Sequence, residues 1–281
     1  MSVARVLRRP GRWLAWGVLL VFALSGIVLP QVLRPGPLEQ NLANRLLPPG
    51  ARGADGTAYM FGTDALGRDM LARLAYGARL SLLVGTVSVL GSGSIGLLVG
   101  LVSGYVGGVS DRILMRLVDL QLSFPFMIMA IGILAAVRPS VDVVIVLFVV
   151  ARWPAYARIV RGSVLEVKSR EFVSAARVVG APDWQILLRH VAPSCLGPLL
   201  VFASFELASV IIAESSLGFL GVGIAPPTPT WGNMLAASRN YLRTAWWLVV
   251  LPGLGICLVA LTANLIGDDL RDHFDPRLRR R

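Results

Sequence analysis

The chain has 281 residues, of which 55% are hydrophobic and 15% are charged, and its formal net charge is +11. A soluble domain carries about 25% charged residues, so this composition excludes an ordinary soluble protein and indicates an integral membrane protein. The positive charge does not indicate nucleic-acid binding, because the basic residues are spread between apolar stretches rather than gathered in one patch.

The apolar stretches predict six membrane-spanning helices. They are expected at 13–31, 80–110, 113–137, 143–157, 191–213 and 245–266, and the second stretch should include a glycine-rich exit. Pro125 should bend the third helix, and Arg152 and Pro154 should interrupt the fourth. The first stretch also has the outline of a secretory signal peptide, but its length favours a retained span. Small residues let helices approach closely in lipid, and the second stretch carries glycines at 91, 93, 96 and 100.

The polar, proline-rich residues 32–79 predict an extracytoplasmic loop that ends in a helix at about 69–79. The loop separates the first span from a five-helix core at 80–266. With the N-terminus (1–12) and the tail (267–281) placed inside, 18 basic residues lie in the cytoplasm and 9 outside. Cytoplasmic loops carry an excess of Lys and Arg, so both termini, and the segment between the fourth and fifth spans, are predicted to be cytoplasmic.

That segment, residues 171–193, is polar and arginine-bearing, and it predicts a hairpin of two short helices. Gly180 can end the first helix in the left-handed conformation, and Pro182 and Asp183 suit the first turn of the second. Pro193 should mark the entry to the fifth span. Helical spacing predicts one face on each helix. These faces are Phe172, Ala175, Ala176 and Val179 on the first helix, and Trp184, Leu187, Leu188 and Val191 on the second.

Such a hairpin is a poor membrane segment and a good docking surface, because small alanine side chains let a partner approach closely. An amphipathic loop lying on the membrane is the alternative. The segment resembles the EAA loop of ABC-importer permeases, in which Glu-Ala-Ala is followed by glycine and later by proline at fixed spacing. The spacing is matched by Ala175, Ala176, Gly180 and Pro193.

Two positions of the hairpin depart from the EAA pattern. Ser174 stands where the family carries glutamate, and His190 stands where it carries an aliphatic residue. Glu171 lies one helical turn before Ser174 and is a candidate to supply the missing acid.

Other segments resemble the dipeptide, oligopeptide and nickel permeases of the DppC/OppC type. The first is FGTDALGRDMLAR at 61–73, in which Thr63 or Asp64 can cap a turn and Arg68 and Asp69 offer opposite charges. Further matches lie at 76–85, 104–108, 114–119, 153–162, 214–235 and 264–279. The resemblance therefore covers residues 60–279.

This resemblance implies an all-α polytopic permease with six transmembrane helices and a coupling-helix hairpin, in the inner membrane of a bacterium. It implies a second homologous permease subunit, two cytoplasmic ATPase subunits and an extracytoplasmic substrate-binding protein as partners. ATP hydrolysis would belong to the ATPases, so the chain is expected to be neither an enzyme nor the holder of a cofactor. The residues expected to dock on the ATPase are Glu171, Phe172, Ala175, Ala176, Arg177, Gly180, Ala181 and Asp183. Di- and oligopeptides are the expected cargo, with nickel, glutathione or opines as alternatives.

Glu206 lies deep in the fifth apolar stretch, where a charge costs about 3 kcal/mol or more. It should face the bundle interior beside a polar partner, either on the translocation path or in a structural hydrogen bond. Asp119 and Glu214 lie nearer span ends and are expected to be structural. A single deep acid and no internal repeat argue against an ion-coupled secondary transporter. The sequence also lacks the clustered nucleophile or metal ligands of a membrane enzyme.

Overall fold

The computed structural model describes residues 10–33 and 35–274. Within these residues, five helices are long and apolar enough to cross a membrane, or six if a sharply bent pair is counted as one span. The predicted all-α, multi-pass architecture is confirmed. In the predicted cytoplasmic N-terminus (1–12), Arg5, Arg8 and Arg9 lie outside the described residues, and so do the last seven residues of the predicted tail.

The helices of the described residues are α1 (Pro10–Val32), α2 (Met70–Val106), α3 (Gly108–Leu122), α4 (Phe126–Ala136), α5 (Val141–Lys168), α6 (Glu171–Val178), α7 (Asp183–Phe219), α8 (Trp231–Ser238) and α9 (Trp247–Phe274). Helix α7 contains one π-helical turn at Leu187–Val191. Between α1 and α2, β1 (Ala51–Arg52) pairs antiparallel with β2 (Ala58–Tyr59), with Ala51 opposite Tyr59.

Helix α2 joins two elements that the sequence analysis kept apart. The loop helix predicted at 69–79 and the span predicted from residue 80 form one continuous helix, and Gly104 lies inside it rather than in an exit loop. The charges at Arg73 and Arg79 mark a change of environment and not the end of a helix, because no proline lies between them and the helix continues through Gly77. The helix ends instead before Gly107, which has a φ of +71°.

The third predicted span is broken rather than bent. Helix α3 ends at Leu122, α4 starts at Phe126, and the two helices meet at an angle of 80°. Proline lacks the amide hydrogen and its ring clashes with the preceding turn. Pro125 therefore has the predicted effect, in a stronger form.

Helix α5 continues to Lys168, beyond the predicted end at residue 157, and it is not interrupted at Arg152 and Pro154 as the sequence suggested. Pro154 lacks the N–H that would bond to the carbonyl oxygen of Val150, four residues earlier. The side-chain amide of Gln121 on α3 donates a hydrogen bond to that carbonyl oxygen. A side chain from a neighbouring helix therefore satisfies the group that proline leaves free, and the helix is retained.

The fifth and sixth predicted spans are also longer than expected. The second hairpin helix and the fifth span, expected to meet at Pro193, form the single helix α7, with the π-helical turn directly before the proline. Helices accommodate proline by such local changes in hydrogen bonding. Helix α9 extends to Phe274, so part of the tail predicted at 267–281 is helical.

The chain divides into two compact units. The first comprises the described residues up to Thr86, Ile133–Val144 and Ala208–Leu265. At its centre, the buried Trp231 donates its indole N–H to the carbonyl oxygen of Leu74 at 3.1 Å and packs edge-on to Phe22.

The loop before α2, which belongs to the first unit, contains the predicted capped turn. Asp64 is the cap: its carboxylate accepts hydrogen bonds from the backbone N–H groups of Leu66 and Arg68 at 2.8 and 3.0 Å. The guanidinium of Arg68 pairs with the same carboxylate at 2.7 Å and not with Asp69. Asp69 instead caps α2 by accepting from Leu71 N–H at 3.0 Å, and burial raises the pKa of its carboxyl.

The second unit comprises Val87–Gly132, Ile145–Leu207 and the described residues from Ile266 onward. In it, glycines of α2 allow α5 to approach closely. A Cβ at Gly96 would lie 2.8 Å from the carbonyl oxygen of Trp153, and a Cβ at Gly100 would lie 2.7 Å from that of Ala157. Of the four glycines for which close packing was predicted, Gly91, Gly96 and Gly100 confirm it, while an added Cβ at Gly93 would meet only ordinary contact. Gly104 extends the stripe, because its Cβ would lie 2.8 Å from that of Val164.

Gly96→Ala is expected to destabilise the protein by about 1–3 kcal/mol, as overpacking of a tight contact does. The obstructing atoms are Tyr156 Cβ and the carbonyl oxygen of Trp153, and neither can rotate away. Gly93→Ala is the matched control, because its added methyl would meet only ordinary contact at 3.6 Å from Tyr156. Thermal unfolding of the detergent-purified variants measures the difference, and equal midpoints would contradict the close packing of α2 on α5.

Candidate functional site

The hairpin, residues 171–193, consists of α6, a tight turn and the first turns of α7. Two backbone hydrogen bonds close the turn: Gly180 N–H donates to Arg177 O at 3.0 Å, and Ala181 N–H donates to Ala176 O at 3.1 Å. This is the Schellman arrangement, in which the residue after the helix is left-handed. Gly180 has a φ of +86°, so it ends α6 as predicted.

One side of the hairpin is buried in an apolar cluster that we call the anchor cluster. The hairpin contributes Val173, Ile186 and Val191, each with no exposed surface. The remaining members come from α2, α5 and α7, and they are Leu101, Tyr105, Val160, Val164, Val167 and Cys195. Burial of one such aliphatic side chain contributes about 2 kcal/mol. The anchor cluster therefore holds the hairpin against the ends of the long helices.

On the other side of the hairpin, large apolar side chains are exposed. We call them the apolar tip: Phe172, Val178, Val179, Trp184 and Leu188. Val178 is 89% exposed and Trp184 is 66% exposed. Exposed apolar groups gathered on one polar segment mark a surface that contacts another protein or a membrane.

The face predicted on α6 is divided between these two sides. Phe172, Ala175 and Val179 are exposed, but Ala176 is half-buried against the anchor cluster. The fully buried residue is Val173, which lies outside the predicted face. Helical spacing predicts which residues share a face of a helix, but it does not show which face other helices cover.

The face predicted on the second helix is divided as well. Trp184 and Leu188 are exposed, Leu187 is half-buried, and Val191 is fully buried. The π-helical turn that begins at Leu187 widens the backbone. Residues beyond it are therefore rotated away from the positions that a regular period of 3.6 assigns to them.

The charged residues of the hairpin lie where helix dipoles favour them. Glu171 is in the first turn of α6, Arg177 is in its last turn, and Asp183 is in the first turn of α7. Glu171 and Ser174 are both exposed. The candidate acid is therefore on the surface of α6, one turn from the position at which the EAA pattern has glutamate.

Tyr105, in the last turn of α2, contacts the hairpin through its polar end. Its hydroxyl donates a hydrogen bond to the Asp183 carboxylate at 2.6 Å, and its carbonyl oxygen accepts one from Lys168 Nζ at 2.6 Å. The guanidinium of Arg177 lies 5.9 Å from the centre of the tyrosine ring. The 104–108 motif is recognisable in the sequence, but the role of Tyr105 is not, because the partners of Tyr105 lie more than sixty residues away.

Two ion pairs join α3 to α5. Arg161 on α5 forms a bidentate pair with Asp111 on α3, with distances of 2.6 and 2.7 Å. Arg158 pairs with Asp119 at 2.6 Å. The acids lie eight residues apart on α3 and the arginines three residues apart on α5, and the sequence did not predict either pairing. The structural role expected for Asp119 agrees with this pairing.

Glu206 has the polar partner that its position requires. Its carboxylate lies 3.5 Å from Arg152 Nη1, and the Arg152 guanidinium lies 4.9 Å from the centre of the Phe126 ring. Both charges are largely buried. The pair compensates the cost of a deep carboxylate, and the role of Glu206 on a translocation path remains a prediction. The buried Glu214 accepts hydrogen bonds from the Ser81 and Ser215 hydroxyls at 3.4 Å.

Residues 96–280 match the family model of the binding-protein-dependent transport system inner membrane component. The chain belongs to this family. Its members are permease subunits of ABC transporters and are not themselves enzymes. The family and the apolar helices together make the chain a multi-pass protein of the bacterial inner membrane.

Curated relatives cover nearly the whole chain. The di/tripeptide transport system permease protein DppC of Pseudomonas aeruginosa is 40% identical over 261 residues, which are 93% of this chain and 86% of the relative. The dipeptide transport system permease protein DppC of Haemophilus influenzae is 39% identical over 261 residues, 93% of this chain and 88% of the relative. The oligopeptide transport system permease protein OppC of the same organism is 42% identical over 219 residues, 78% of this chain and 70% of the relative.

A solved structure of the MetNI methionine ABC transporter in an inward-facing conformation contains a chain with the same fold. The TM-score is 0.62 at 20% sequence identity, and the match covers 73% of this chain and 98% of that chain. At this identity the likeness shows the fold alone.

Glu206→Leu is expected to lower the free energy of unfolding by about 3 kcal/mol or more, because it leaves the buried Arg152 without a counter-charge. The double variant Arg152→Met, Glu206→Leu should recover most of this loss, since it removes both charges. Glu166→Gln is the control, because its pair with Arg170 is exposed and an exposed pair contributes little. Thermal unfolding and yield of the purified protein are the measurements. A Glu206→Leu protein as stable as the control would show that the pair is not a stabilising element.

Proposed function

We propose that this chain is one of two homologous permease subunits of an ABC importer that takes up di- and oligopeptides. The observation that carries the proposal is identity of about 40%, over 93% of the chain to permeases named for dipeptide and di/tripeptide transport and over 78% to one named for oligopeptide transport. Such an importer takes cargo from an extracytoplasmic binding protein and is energised by two ATPase subunits, so this chain binds no ATP itself.

The hairpin is the proposed docking site for one ATPase subunit. Its apolar tip is exposed while its other side is buried in the anchor cluster, which is the arrangement that a docking element needs. Glu171, Arg177 and Asp183 supply charges beside the tip, and Gly180 and Ala181 form the turn between the two helices. Closure of the ATPase dimer on ATP would move the hairpin, and the long helices attached to it would alternate access to a central path.

The proposed orientation places the hairpin and both termini in the cytoplasm and the loop at 32–79 on the opposite side. The distribution of basic residues supports it. The capped turn at Asp64 and the small β1–β2 hairpin then lie where the binding protein docks. Hydrogen bonds join distant parts of this loop: Thr63 Oγ accepts from Leu47 N–H at 2.8 Å and donates to Asn44 O at 2.5 Å.

Nickel, glutathione and opines remain alternative cargoes, because importers of these compounds share the motifs recognised in the sequence. The membrane helices that the structure describes hold the histidines His190 and His273 only near their ends, which favours peptides over direct handling of a metal. Membership of the binding-protein-dependent family argues against the ion-coupled secondary transporter considered from the sequence.

A cysteine at position 178 is expected to react with a membrane-impermeant maleimide only from the cytoplasmic side and to crosslink to an ATPase subunit. The variant is Val178→Cys, in a background in which Cys195 and Cys257 are replaced by alanine. The side chain of Val178 is almost fully exposed, so the reaction depends only on the side to which reagent is added. Right-side-out and inside-out vesicles of cells that lack the ATPase subunits provide the two labelling conditions, because a docked ATPase would cover position 178, and cells that contain the whole transporter are used for the crosslinking.

Met60→Cys is the matched control, because Met60 is 66% exposed in the loop that is proposed to lie outside. It should react only from the extracytoplasmic side and form no crosslink to the ATPase. Reaction of position 178 from outside would reverse the proposed orientation. Cytoplasmic reaction without any crosslink would contradict docking at the apolar tip.

The cargo is tested by uptake in the source cells after deletion of this chain's gene. Uptake of radiolabelled Ala-Ala is expected to fall to background and to return when the gene is supplied on a plasmid. Uptake of ⁶³Ni²⁺ and of radiolabelled glutathione should be unchanged. Loss of nickel or glutathione uptake with normal dipeptide uptake would replace the peptide assignment by that cargo.

A further inference from the structure

Tyr105 is the one residue of the anchor cluster that also makes polar contacts with three other segments of the described chain. Its hydroxyl donates to Asp183 at the start of α7, and its backbone carbonyl accepts from Lys168 at the end of α5. Its ring lies beneath the guanidinium of Arg177 on α6. Tyr105 itself belongs to the last turn of α2. Four helices therefore meet at one side chain.

These contacts differ in kind from those of the anchor cluster. Apolar burial is not directional, so aliphatic side chains such as Val173 and Ile186 determine which face of the hairpin is covered but constrain its angle to α2 less tightly than a directional bond does. A hydrogen bond to a carboxylate is directional and is stronger than a neutral one. The bond of 2.6 Å between Tyr105 and Asp183 therefore fixes the angle between the hairpin and α2.

Lys168 strengthens the same junction. The last carbonyl groups of a helix lack partners within the helix, and a basic side chain there satisfies them and complements the helix dipole. Lys168 Nζ does this for Tyr105 O, and it also lies 5.2 Å from the centre of the tyrosine ring. The charged groups around the ring are thus Lys168, Arg177 and Asp183, one from each neighbouring segment.

We propose that Tyr105 is a positioning residue that links the hairpin rigidly to α2, so that movement of the hairpin is transmitted to the second membrane span. The inference rests on the proposed function, in which the ATPases move the hairpin. Without the hydroxyl, the anchor cluster would still hold the hairpin and the ATPase would still dock. The hairpin would then rotate on its apolar base, and part of the movement produced by each cycle of ATP hydrolysis would not reach α2.

The test compares Tyr105→Phe with Tyr76→Phe in the whole transporter reconstituted in liposomes with its binding protein and radiolabelled Ala-Ala. Tyr76 is the matched control, because it is a half-buried tyrosine on the same helix. Tyr105→Phe should co-purify the ATPase subunits normally but hydrolyse severalfold more ATP for each peptide transported. Amide hydrogen exchange in residues 171–191 should be faster in this variant than in the control.

A double-variant comparison shows whether the effect acts through Asp183. Asp183→Ala should also raise the ATP hydrolysed per peptide, and adding Tyr105→Phe to it should change the ratio no further. A wild-type ratio in Tyr105→Phe would overturn the proposal, and so would an undiminished effect of Tyr105→Phe in the Asp183→Ala background. Loss of ATPase co-purification in Tyr105→Phe would also overturn it, because that result shows a structural role. The unmodified transporter distinguishes failure of the proposed function from failure of the role proposed for Tyr105. If it lacks ATP-driven peptide uptake, the proposed function fails, whatever the variants do.

Discussion

The hairpin at 171–193 must be held by the membrane helices on one side and remain free on the other, and burial of three of its side chains meets both demands. Val173, Ile186 and Val191 are fully enclosed, while Val178 and Trp184 are largely exposed. Since α6 has only eight residues, it is too short to be stable by itself in water. Its stability comes from the anchor cluster, which therefore also determines which of its residues a partner can reach.

The anchor cluster depends in turn on the close approach of α2 and α5. Gly100 and Gly104 meet Val160 and Val164, and these two valines are also members of the anchor cluster. A larger residue in the glycine stripe would push α5 outward and open the base on which the hairpin rests. In lipid, where helices gain little from the hydrophobic effect, such tight packing is a main source of association. The stripe and the hairpin are thus parts of one structural arrangement, although they lie about seventy residues apart in the sequence.

Two polar groups inside the helical region have a partner from another helix. Gln121 bonds to the carbonyl group that Pro154 leaves free, and Arg152 faces Glu206. These contacts explain why a helix with a charge and a proline in its middle remains continuous. They also connect α3, α5 and α7 within the second unit, which is the unit that carries the hairpin.

The sequence by itself determined the membrane class, the family and the position of the hairpin, because these depend on composition, on apolar length and on motifs that are contiguous in the chain. It also identified the end of α6 at Gly180 and Pro125 as the point at which the third span changes direction, since both follow from the backbone geometry of a single residue, although it predicted a bend at Pro125 where the structure has a break. Only the tertiary structure decided that α5 continues through Pro154, that Val173 rather than Phe172 is buried, and that Tyr105 bonds to Asp183. Each of these outcomes depends on a partner from a distant segment, and helical periodicity carries no information about which face of a helix such a partner will cover.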